Sequence, residues 1–293
     1  MAKENEPLKD TVILYHEKCL DGFGAAWAAS RHFGERASYV AIGNNAPVPE
    51  NQLAGREVYM LDYAAPIDVL RRLKPTLKRL VIIDHHKSNT DLLTFADESY
   101  FDLKHSGAVL SWQHFHPGTP TPRLLLHIED MDIWRFELPR TKEAISSLGL
   151  APFVFAEWDT LMDRFTEEES YRDILAEGGT IMRHVDKVVE ELALEASEVL
   201  FEGYRVLMVN APSRFVSLLG HRLAARQGPF AIIWHYREGR FKLSLRSDGS
   251  VDVSELAARY GGGGHPGAAG FILPQSDFLA LLATATSKSV NRG

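Results

Sequence analysis

The chain has 293 residues, 45% of them apolar and 24% charged, with a formal net charge of −7. This length allows two domains, each with a buried core. No apolar run approaches the ~20 residues of a membrane helix. The negative net charge argues against extended electrostatic binding to long duplex DNA. A single cysteine, Cys19, excludes an intrachain disulfide, and the first ten residues lack a signal-peptide core. These features predict a cytoplasmic protein without membrane partners.

Strand-like and helix-like segments alternate through the first half of the chain. Apolar runs predict buried strands at Thr11–Tyr15, Glu57–Leu61 and Leu80–Ile83. Helical spacing is found in segments 21–34, 66–73, 107–115 and 123–133. This β-α-β-α order predicts an α/β domain, with a parallel sheet covered by helices.

The second half has a different organisation. Residues 167–197 predict a long linking helix, interrupted only by Gly178-Gly179. Three β-rich runs follow at 204–210, 230–236 and 241–247, and turn residues 237–240 join the last two as a hairpin. We therefore predict a catalytic domain over 1–160, a linking helix over 161–199 and a smaller α+β domain over 200–293.

Acids and histidines follow the predicted strands of the first half. His16 and Asp21 come after the first strand, Asp62 after the second, and Asp84, His85 and His86 after the third. Ligands bind beyond the carboxyl ends of strands in such sheets, so these groups would meet in one crevice. Carboxylates and imidazoles together suit Mn²⁺, Mg²⁺, Fe²⁺ or Zn²⁺. The alternative is that each acid only caps the next helix. For Asp21 alone the two interpretations are equally supported.

A fourth acid would complete the shell. The segment HIEDMDIW supplies Glu129, Asp130 and Asp132. Neighbouring residues of a helix point apart, so one of them would face the crevice while the others meet water. For any single residue of the three, a solvated acid is the favoured interpretation.

A glycine-rich segment near the end of the chain predicts a phosphate contact. Four glycines, 261–264, leave backbone amides open to close approach, and His265 after them could donate to a phosphoryl oxygen. Arg246, at the end of a predicted strand, is a candidate phosphate clamp. A flexible turn and an exposed arginine are the alternatives.

Two of these motifs together resemble the DHH/DHHA1 phosphoesterase superfamily. They are Asp84-His85-His86 after an apolar strand, and GGGGHPGAAGF at 261–271. The resemblance covers nearly the whole chain and is greatest to compact two-domain members described as nano-RNase, phosphodiesterase or exopolyphosphatase-like. It implies an N-terminal DHH domain, a linking helix and a DHHA1 domain.

The resemblance also implies roles for single residues. His16, Asp21, Asp62, His85 and Asp130 would bind one or two divalent ions, with Mn²⁺ expected first and Mg²⁺ or another ion as alternatives. Asp62 would bridge two ions, and Asp132 is the alternative to Asp130. Asp84 would orient a histidine or water, and His86 would face the substrate. The substrate-binding groups would be Ser106, Arg246, Gly262, Gly263, Gly264 and His265, with His265 also catalytic.

One position departs from the family pattern. Members of the superfamily carry two acids after the first histidine, and Cys19 stands where the first is expected. A thiolate favours softer ions, so the number and kind of metals are open at this position.

These residues predict a phosphohydrolase that uses metal-activated water on short single-stranded oligonucleotides or small nucleotides. Inorganic polyphosphate is the alternative substrate. Tyr260 and Phe271 near the glycines slightly favour a nucleotide substrate, because aromatic side chains can stack on a base. A nucleotide-binding sensor weakened by Cys19 is the alternative from another functional class. A homodimer is left open.

Overall fold

A computed structural model describes residues 7–43, 46–237 and 239–283, with nothing described of the Arg237 side chain. The chain divides into two compact units, Met1–Met182 and Arg183–Gly293. This division lies inside the segment assigned above to the linking helix, and the boundaries at 160 and 199 stay predictions.

Unit 1 contains a five-stranded parallel sheet with strand order β2-β1-β3-β4-β5. Its strands are β1 (Thr11–His16), β2 (Ala37–Ile42), β3 (Glu57–Leu61), β4 (Arg79–Asp84) and β5 (Glu98–Phe101). Its helices are α1 (Leu20–Phe33), α2 (Glu50–Leu53), α3 (Ile67–Leu73), α4 (Gly107–Phe115), α5 (Arg123–Asp132), α6 (Thr141–Leu148) and α7 (Phe155–Thr166). The predicted α/β fold is confirmed.

Burial on both faces explains why the central strands have continuous apolar runs between their ends. Leu80 and Ile82 of β4 pack into one hydrophobic cluster, whereas Val81 and Ile83 pack into another. Successive side chains of a strand point to opposite faces, so each core receives every second residue. The continuous apolar runs of the sequence follow from this arrangement.

The order of the strands creates a crevice at one edge of this sheet. The chain leaves β1 for β2 on one side and then places β3, β4 and β5 on the other. The loops on either side of such a reversal separate beyond the carboxyl ends of the strands. The residues that follow β1 and β3 therefore lie at the binding position typical of open α/β sheets.

A 27-residue helix, α8 (Glu168–Leu194), begins in unit 1 and ends in unit 2, as the predicted long helix requires. Gly178 of this helix has a packing role. A Cβ atom there would lie 1.8 Å from the carbonyl oxygen of Glu143 in α6. Only glycine allows the two helices to approach so closely.

Unit 2 is built on a six-stranded sheet with order β10-β11-β9-β8-β7-β6, in which only β7 and β8 are paired in parallel. Its strands are β6 (Ser197–Phe201), β7 (Tyr204–Asn210), β8 (Phe230–Arg237), β9 (Arg240–Ser247), β10 (Gly263–His265) and β11 (Ala268–Leu273). Its helices are α9 (Val216–Arg226), α10 (Val253–Ala258) and α11 (Gln275–Leu282). The predicted smaller α+β domain is confirmed, and Glu238 of the predicted hairpin turn lies outside the described residues. None of the helices in the described segments combines the length and apolar character of a membrane span.

Candidate metal centre

The loops after β1, β3 and β4 and the end of α5 bring a group of acids and histidines together in unit 1. The Nε2 atom of His85 lies 3.5 Å from Asp21 Oδ2, 3.3 Å from Asp62 Oδ1 and 3.4 Å from Asp132 Oδ2. Asp21 and Asp62 are buried, and His85 is largely so. We call Asp21, Asp62, His85 and Asp132 the acidic cluster.

Asp62 occupies the middle of this arrangement. Its Oδ1 atom faces His85 and His86, at 3.3 and 3.6 Å, and its Oδ2 atom lies 3.7 Å from His16 Nδ1. Its backbone is left-handed, with φ of 51°, a conformation that aspartate tolerates better than most residues. Strain of this kind is concentrated at functional sites, and here it turns the carboxylate into the crevice directly after β3.

The carboxylate of Asp21 is fixed by the N-terminus of α4. Its two oxygens accept the backbone N–H groups of Gly107 and Ala108, at 2.7 and 2.9 Å. Asp21 therefore caps α4 rather than α1, the helix on which it lies, so the sequence alternative of a local cap does not describe it. Gly107 makes the close approach possible, because a Cβ atom there would lie 2.6 Å from Asp62 Cβ.

Asp130 and Asp132 lie on opposite sides of the last turn of α5. Asp132 Oδ2 reaches His85, as given above, whereas Asp130 faces the loop that leads to α6. Asp130 is buried and accepts N–H groups from Glu137 and Leu138 and the hydroxyl of Thr141, at 2.7, 3.2 and 2.5 Å. The structure brings Asp132 to the cluster and does not bring Asp130. The Asp130 carboxylate instead accepts hydrogen bonds from the loop between α5 and α6.

Asp84 supports its neighbours through hydrogen bonds. Its Oδ1 atom accepts the backbone N–H of His85 and His86 and the Nδ1 atom of His86, at 2.7, 3.0 and 2.7 Å, and Oδ2 accepts the amide of Asn89 at 2.6 Å. Burial would raise the pKa of Asp84, but the hydrogen bonds from His86 and Asn89 outweigh it and the pKa is lowered. The same contact with Asp84 raises the pKa of His86, which is 44% exposed at the rim of the cluster.

The electrostatics of the cluster follow from burying several carboxylates together. Burial and the neighbouring Asp62 and Asp132 raise the pKa of Asp21 well above its usual value. Burial raises the pKa of Asp62, but His16 and His85 outweigh it and hold the pKa at about 2. Burial lowers the pKa of His85, but Asp62, Asp21 and Asp132 raise it to about 9. The raised pKa favours protonated His85, whose charge offsets part of the charge of these acids.

The acidic cluster fits a divalent ion. Asp62 Oδ1 and His85 Nε2 are buried and have no hydrogen-bond partner among the described residues. Contacts of 3.3–3.5 Å between them and the neighbouring oxygens are long for hydrogen bonds. Atoms that bind one ion at about 2.0–2.3 Å are separated by roughly this distance. The ligand atoms of Asp21, His85 and Asp132 lie within 4.8 Å of one another, as do those of Asp62, His85 and His86.

A third group of ligand atoms adjoins the cluster and consists of His16, Cys19 and Asp62, again within 4.8 Å of one another. Burial and the charge of Asp62 raise the pKa of the Cys19 thiol to about 12. Cys19 is therefore a neutral thiol in the metal-free protein.

In unit 2, Arg246 and His265 share one row of the sheet. His265 pairs with Ala268, and Ala268 pairs with Arg246, so the three side chains lie on the same face. Strand spacing places Arg246 and His265 about 10 Å apart, with only the methyl group of Ala268 between them. Arg246 donates to Ser217 Oγ of α9 at 3.3 Å and to the Leu245 carbonyl at 2.9 Å, and burial lowers its pKa.

The predicted glycine loop is partly an edge strand. Gly263 and Gly264 belong to β10, whereas the amide of Gly262 donates to Ala257 O and is not open to a phosphate. A Cβ atom at Gly262 would lie 2.2 Å from Gly270 O, but at Gly263 it would meet nothing within 4 Å. Gly262 thus serves packing, and β10 is the last strand at this edge of the sheet among the described residues.

Other predicted residues have local roles. Ser106 is fully buried at the N-cap of α4, where its Oγ accepts the N–H of Val109 and its own amide donates to Glu129. Phe271 is buried in the core of unit 2, and Tyr260 stacks on it and donates to Glu202. Both residues also line a cavity of about 410 Å³ beside Gly261 and Gly262.

Sequence reasoning missed Gly107 and Asn89. The signal for Gly107 is the Ser-Gly pair that opens the apolar segment GAVLSWQHF after β5. A glycine at the first position of a buried helix indicates a close contact at its N-terminus. Asn89, five residues after Asp84, carries no comparable signal.

The chain is similar in sequence and fold to several proteins. Residues 217–290 match the DHHA1 domain family. Protein R106 of Acanthamoeba polyphaga mimivirus is 28% identical over 285 residues, which cover 88% of this chain and 66% of that protein, so the chain spans slightly less than two thirds of this relative.

Three solved structures share the fold at 13–15% sequence identity, and each is matched over 94% of this chain. The DHH domain of a protein described as a member of a ribosomal protein family has a TM-score of 0.56 over 85% of its length. RecJ from Thermus thermophilus in complex with Mn²⁺ has 0.52 over 51%. The pGpG-specific phosphodiesterase PggH from Vibrio cholerae has 0.50 over 96%.

Proposed function

We propose that this chain is a member of the DHH/DHHA1 phosphoesterase superfamily and a metal-dependent phosphohydrolase acting on short single-stranded oligonucleotides or small nucleotides. The DHHA1 match of residues 217–290 supports the family. The observation that carries the proposal is the acidic cluster: Asp21, Asp62 and Asp132 around His85, with two buried ligand atoms that lack hydrogen-bond partners among the described residues. Such a donor set suits Mn²⁺ or Mg²⁺.

The metal ligands would be Asp21, Asp62, His85 and Asp132, joined by His16. A divalent ion held there would activate water and offset charge on a phosphoryl oxygen. Asp132 would take the place that the sequence had given to Asp130, and the three hydrogen bonds that Asp130 accepts from its own loop support this choice.

His86 would act on the substrate side of the cluster. Asp84 holds its ring through Nδ1 and favours the protonated form, which leaves Nε2 to donate to a phosphoryl oxygen or to give a proton to the leaving oxygen. Asp84 would be a positioning residue, since all its short contacts are to its neighbours in the chain.

Arg246 and His265 of unit 2 would bind phosphate oxygens of the substrate. They share one face of the sheet, with small residues between them, and the described residues form no ion pair with Arg246. An unpaired, half-buried guanidinium is a strong donor to phosphate. Gly263 and Gly264 of the edge strand would assist through their backbone.

An aromatic pocket in unit 1 supports a nucleotide over inorganic polyphosphate. Tyr15, Tyr39 and Phe153 are partly exposed and line a cavity of about 400 Å³, over the buried ring of Phe23 and together with Glu17, Lys18 and Ala41. The pocket adjoins the candidate ligands along the chain, because Tyr15 precedes His16 and Phe23 follows Asp21 by two residues. Aromatic side chains stack on bases, and polyphosphate has none.

The test is a substrate panel for the purified chain with Mn²⁺, Mg²⁺ and no metal. It contains a di- to pentanucleotide RNA, pGpG, a cyclic dinucleotide and polyphosphate, with Asp62→Asn as the inactive control. We expect metal-dependent release of mononucleotides and a loss of about 10³-fold or more in Asp62→Asn, since a lost metal contact costs several kcal/mol. Turnover of polyphosphate alone would favour an exopolyphosphatase, and nucleotide binding without turnover would favour a sensor.

A further inference from the structure

Cys19 lies beside the acidic cluster with the geometry of a ligand. Its sulphur and the ligand atoms of His16 and Asp62 are within 4.8 Å of one another. It is the only cysteine of the chain, so a disulfide within the chain cannot account for its position.

The turn between β1 and α1 places the thiol in the crevice. Lys18 has a left-handed backbone, with φ of 57°, and this conformation reverses the chain between His16 and Cys19. Cys19 is then the N-cap residue of the 14-residue helix α1. The sulphur therefore lies at the start of α1, within ligand distance of His16 and Asp62.

The carboxylate of Asp62 connects the Cys19 group to the acidic cluster. Its side chain is 1% exposed, and Oδ1 has no hydrogen-bond partner among the described residues. Oδ1 faces His85 of the acidic cluster, whereas Oδ2 faces His16 on the Cys19 side. One buried carboxylate thus offers an oxygen to each of two groups of ligands.

We infer that Cys19, His16 and Asp62 form a thiolate-containing ion position that takes a thiophilic divalent ion such as Zn²⁺, while Asp21, His85 and Asp132 form a second position for Mn²⁺ or Mg²⁺. This inference rests on the proposed metal centre and specifies that its two positions differ in chemistry.

The ligand sets explain the difference in preference. Sulphur, imidazole and carboxylate are the ligands of zinc sites, and three protein ligands leave a fourth position open, as in catalytic zinc sites. The second set has two carboxylates and one imidazole, which oxygen-preferring ions accept. The protein would therefore hold two unlike ions, joined by Asp62.

Cobalt is the probe that reports a thiolate ligand directly. The metal-free full-length chain is titrated with Co²⁺, and the near-ultraviolet absorption of a sulphur-to-cobalt charge transfer is recorded. Because Cys19 is the sole cysteine, the band has one source in a monomer, and sedimentation confirms that state. Cys19→Ser removes the sulphur at nearly constant size, and Cys19→Asp supplies an oxygen instead.

We expect the band in the wild type and its loss in both variants. Zn²⁺ affinity, measured by calorimetry, should fall by at least about tenfold in Cys19→Ser, whereas Mn²⁺ affinity should stay within a few fold. Zn²⁺ should also slow alkylation of Cys19 in the wild type, a measurement that needs no variant.

Other results would overturn the inference. Binding of Co²⁺ without the charge-transfer band would show that Cys19 is not a ligand, while the metal centre of the proposed function would stand. Absence of any divalent-ion binding would overturn both. Equal losses of Zn²⁺ and Mn²⁺ affinity in Cys19→Ser, with unchanged folding by circular dichroism, would contradict two chemically distinct positions.

Discussion

The Oδ1 atom of Asp62 lies 3.3 Å from the Nε2 atom of His85, and neither buried atom has a hydrogen-bond partner among the described residues. Burying two polar atoms without partners costs free energy. A cation between them and their neighbours would recover that energy, so the ligand set in the metal-free protein is poised for an ion.

Substitutions of Asp130 and Asp132 should distinguish a metal ligand from a residue that stabilises the fold. Asp132→Asn should weaken Mn²⁺ binding by at least about tenfold with little effect on folding, because its carboxylate reaches the cluster. Asp130→Asn should instead lower the free energy of unfolding by about 1–3 kcal/mol, because a buried acceptor of three hydrogen bonds is altered. Calorimetric titration and urea unfolding measure the two effects. Loss of Mn²⁺ binding in folded Asp130→Asn alone would restore Asp130 as the ligand.

Metal binding should release protons. In the metal-free protein the pKa of His85 is raised to about 9, so its ring is charged at pH 7 and must lose a proton to bind a cation. Mn²⁺ affinity should therefore rise with pH up to about 9, by about tenfold per pH unit for each proton released. Calorimetry in buffers of different ionisation enthalpy counts these protons.

The matched control for this measurement is another histidine. His114→Gln should leave the pH dependence unchanged, because burial lowers the pKa of His114 and keeps it neutral. His85→Gln should reduce the slope. An affinity independent of pH between 6 and 8 would contradict a charged His85.

The row of Arg246, Ala268 and His265 predicts a substrate-binding effect. Arg246→Ala should raise KM for a nucleotide substrate by about tenfold or more and change kcat less, since a charge-assisted hydrogen bond to phosphate is lost. Ala268→Phe should have a similar effect by filling the space between the side chains of Arg246 and His265. Arg205→Ala removes an exposed arginine paired with Glu198 and is the control. Equal KM values in all three variants would exclude this face from binding.

Two neighbouring glycines should respond differently to alanine. Gly262→Ala forces a Cβ atom to within 2.2 Å of Gly270 O and should cost about 1–3 kcal/mol of stability. Gly263→Ala meets open space and should change stability by less than about 1 kcal/mol. Thermal unfolding compares the variants. A large loss in Gly263→Ala would show that the strand edge is packed against something else.

The sequence predicted the elements that pattern alone defines. Thr11–Tyr15, Glu57–Leu61 and Leu80–Ile83 are strands, because residues buried on both faces leave continuous apolar runs. Strands β2 and β5 were missed, and they lie at the two edges of the sheet. Glu98–Phe101 is half polar, whereas Ala37–Ile42 is mostly apolar but only its two end residues are buried. An edge strand is identified by its pairing with a neighbouring strand, and the sequence pattern does not show that pairing.

The sequence predicted which residues belong to the site better than it predicted how their side chains are arranged. Strand ends located His16, Asp62 and His85, because parallel strands end at the same edge. The choice between Asp130 and Asp132 was not predictable, since it depends on which face of α5 meets the crevice. The packing role of Gly262 was also not predictable, because it depends on the close approach of Gly270 O across the hairpin.

The bonds from Asp21 to the amides of α4 bear on how long an ion stays. Both oxygens of Asp21 already accept an N–H, and the end of a helix carries about half a positive charge. This partial charge withdraws electron density from the carboxylate and repels a second cation beside it. An ion bound through Asp21 should then exchange with its surroundings faster than its number of ligands suggests. Occupancy would follow the free ion concentration, and the rate of turnover would follow metal supply.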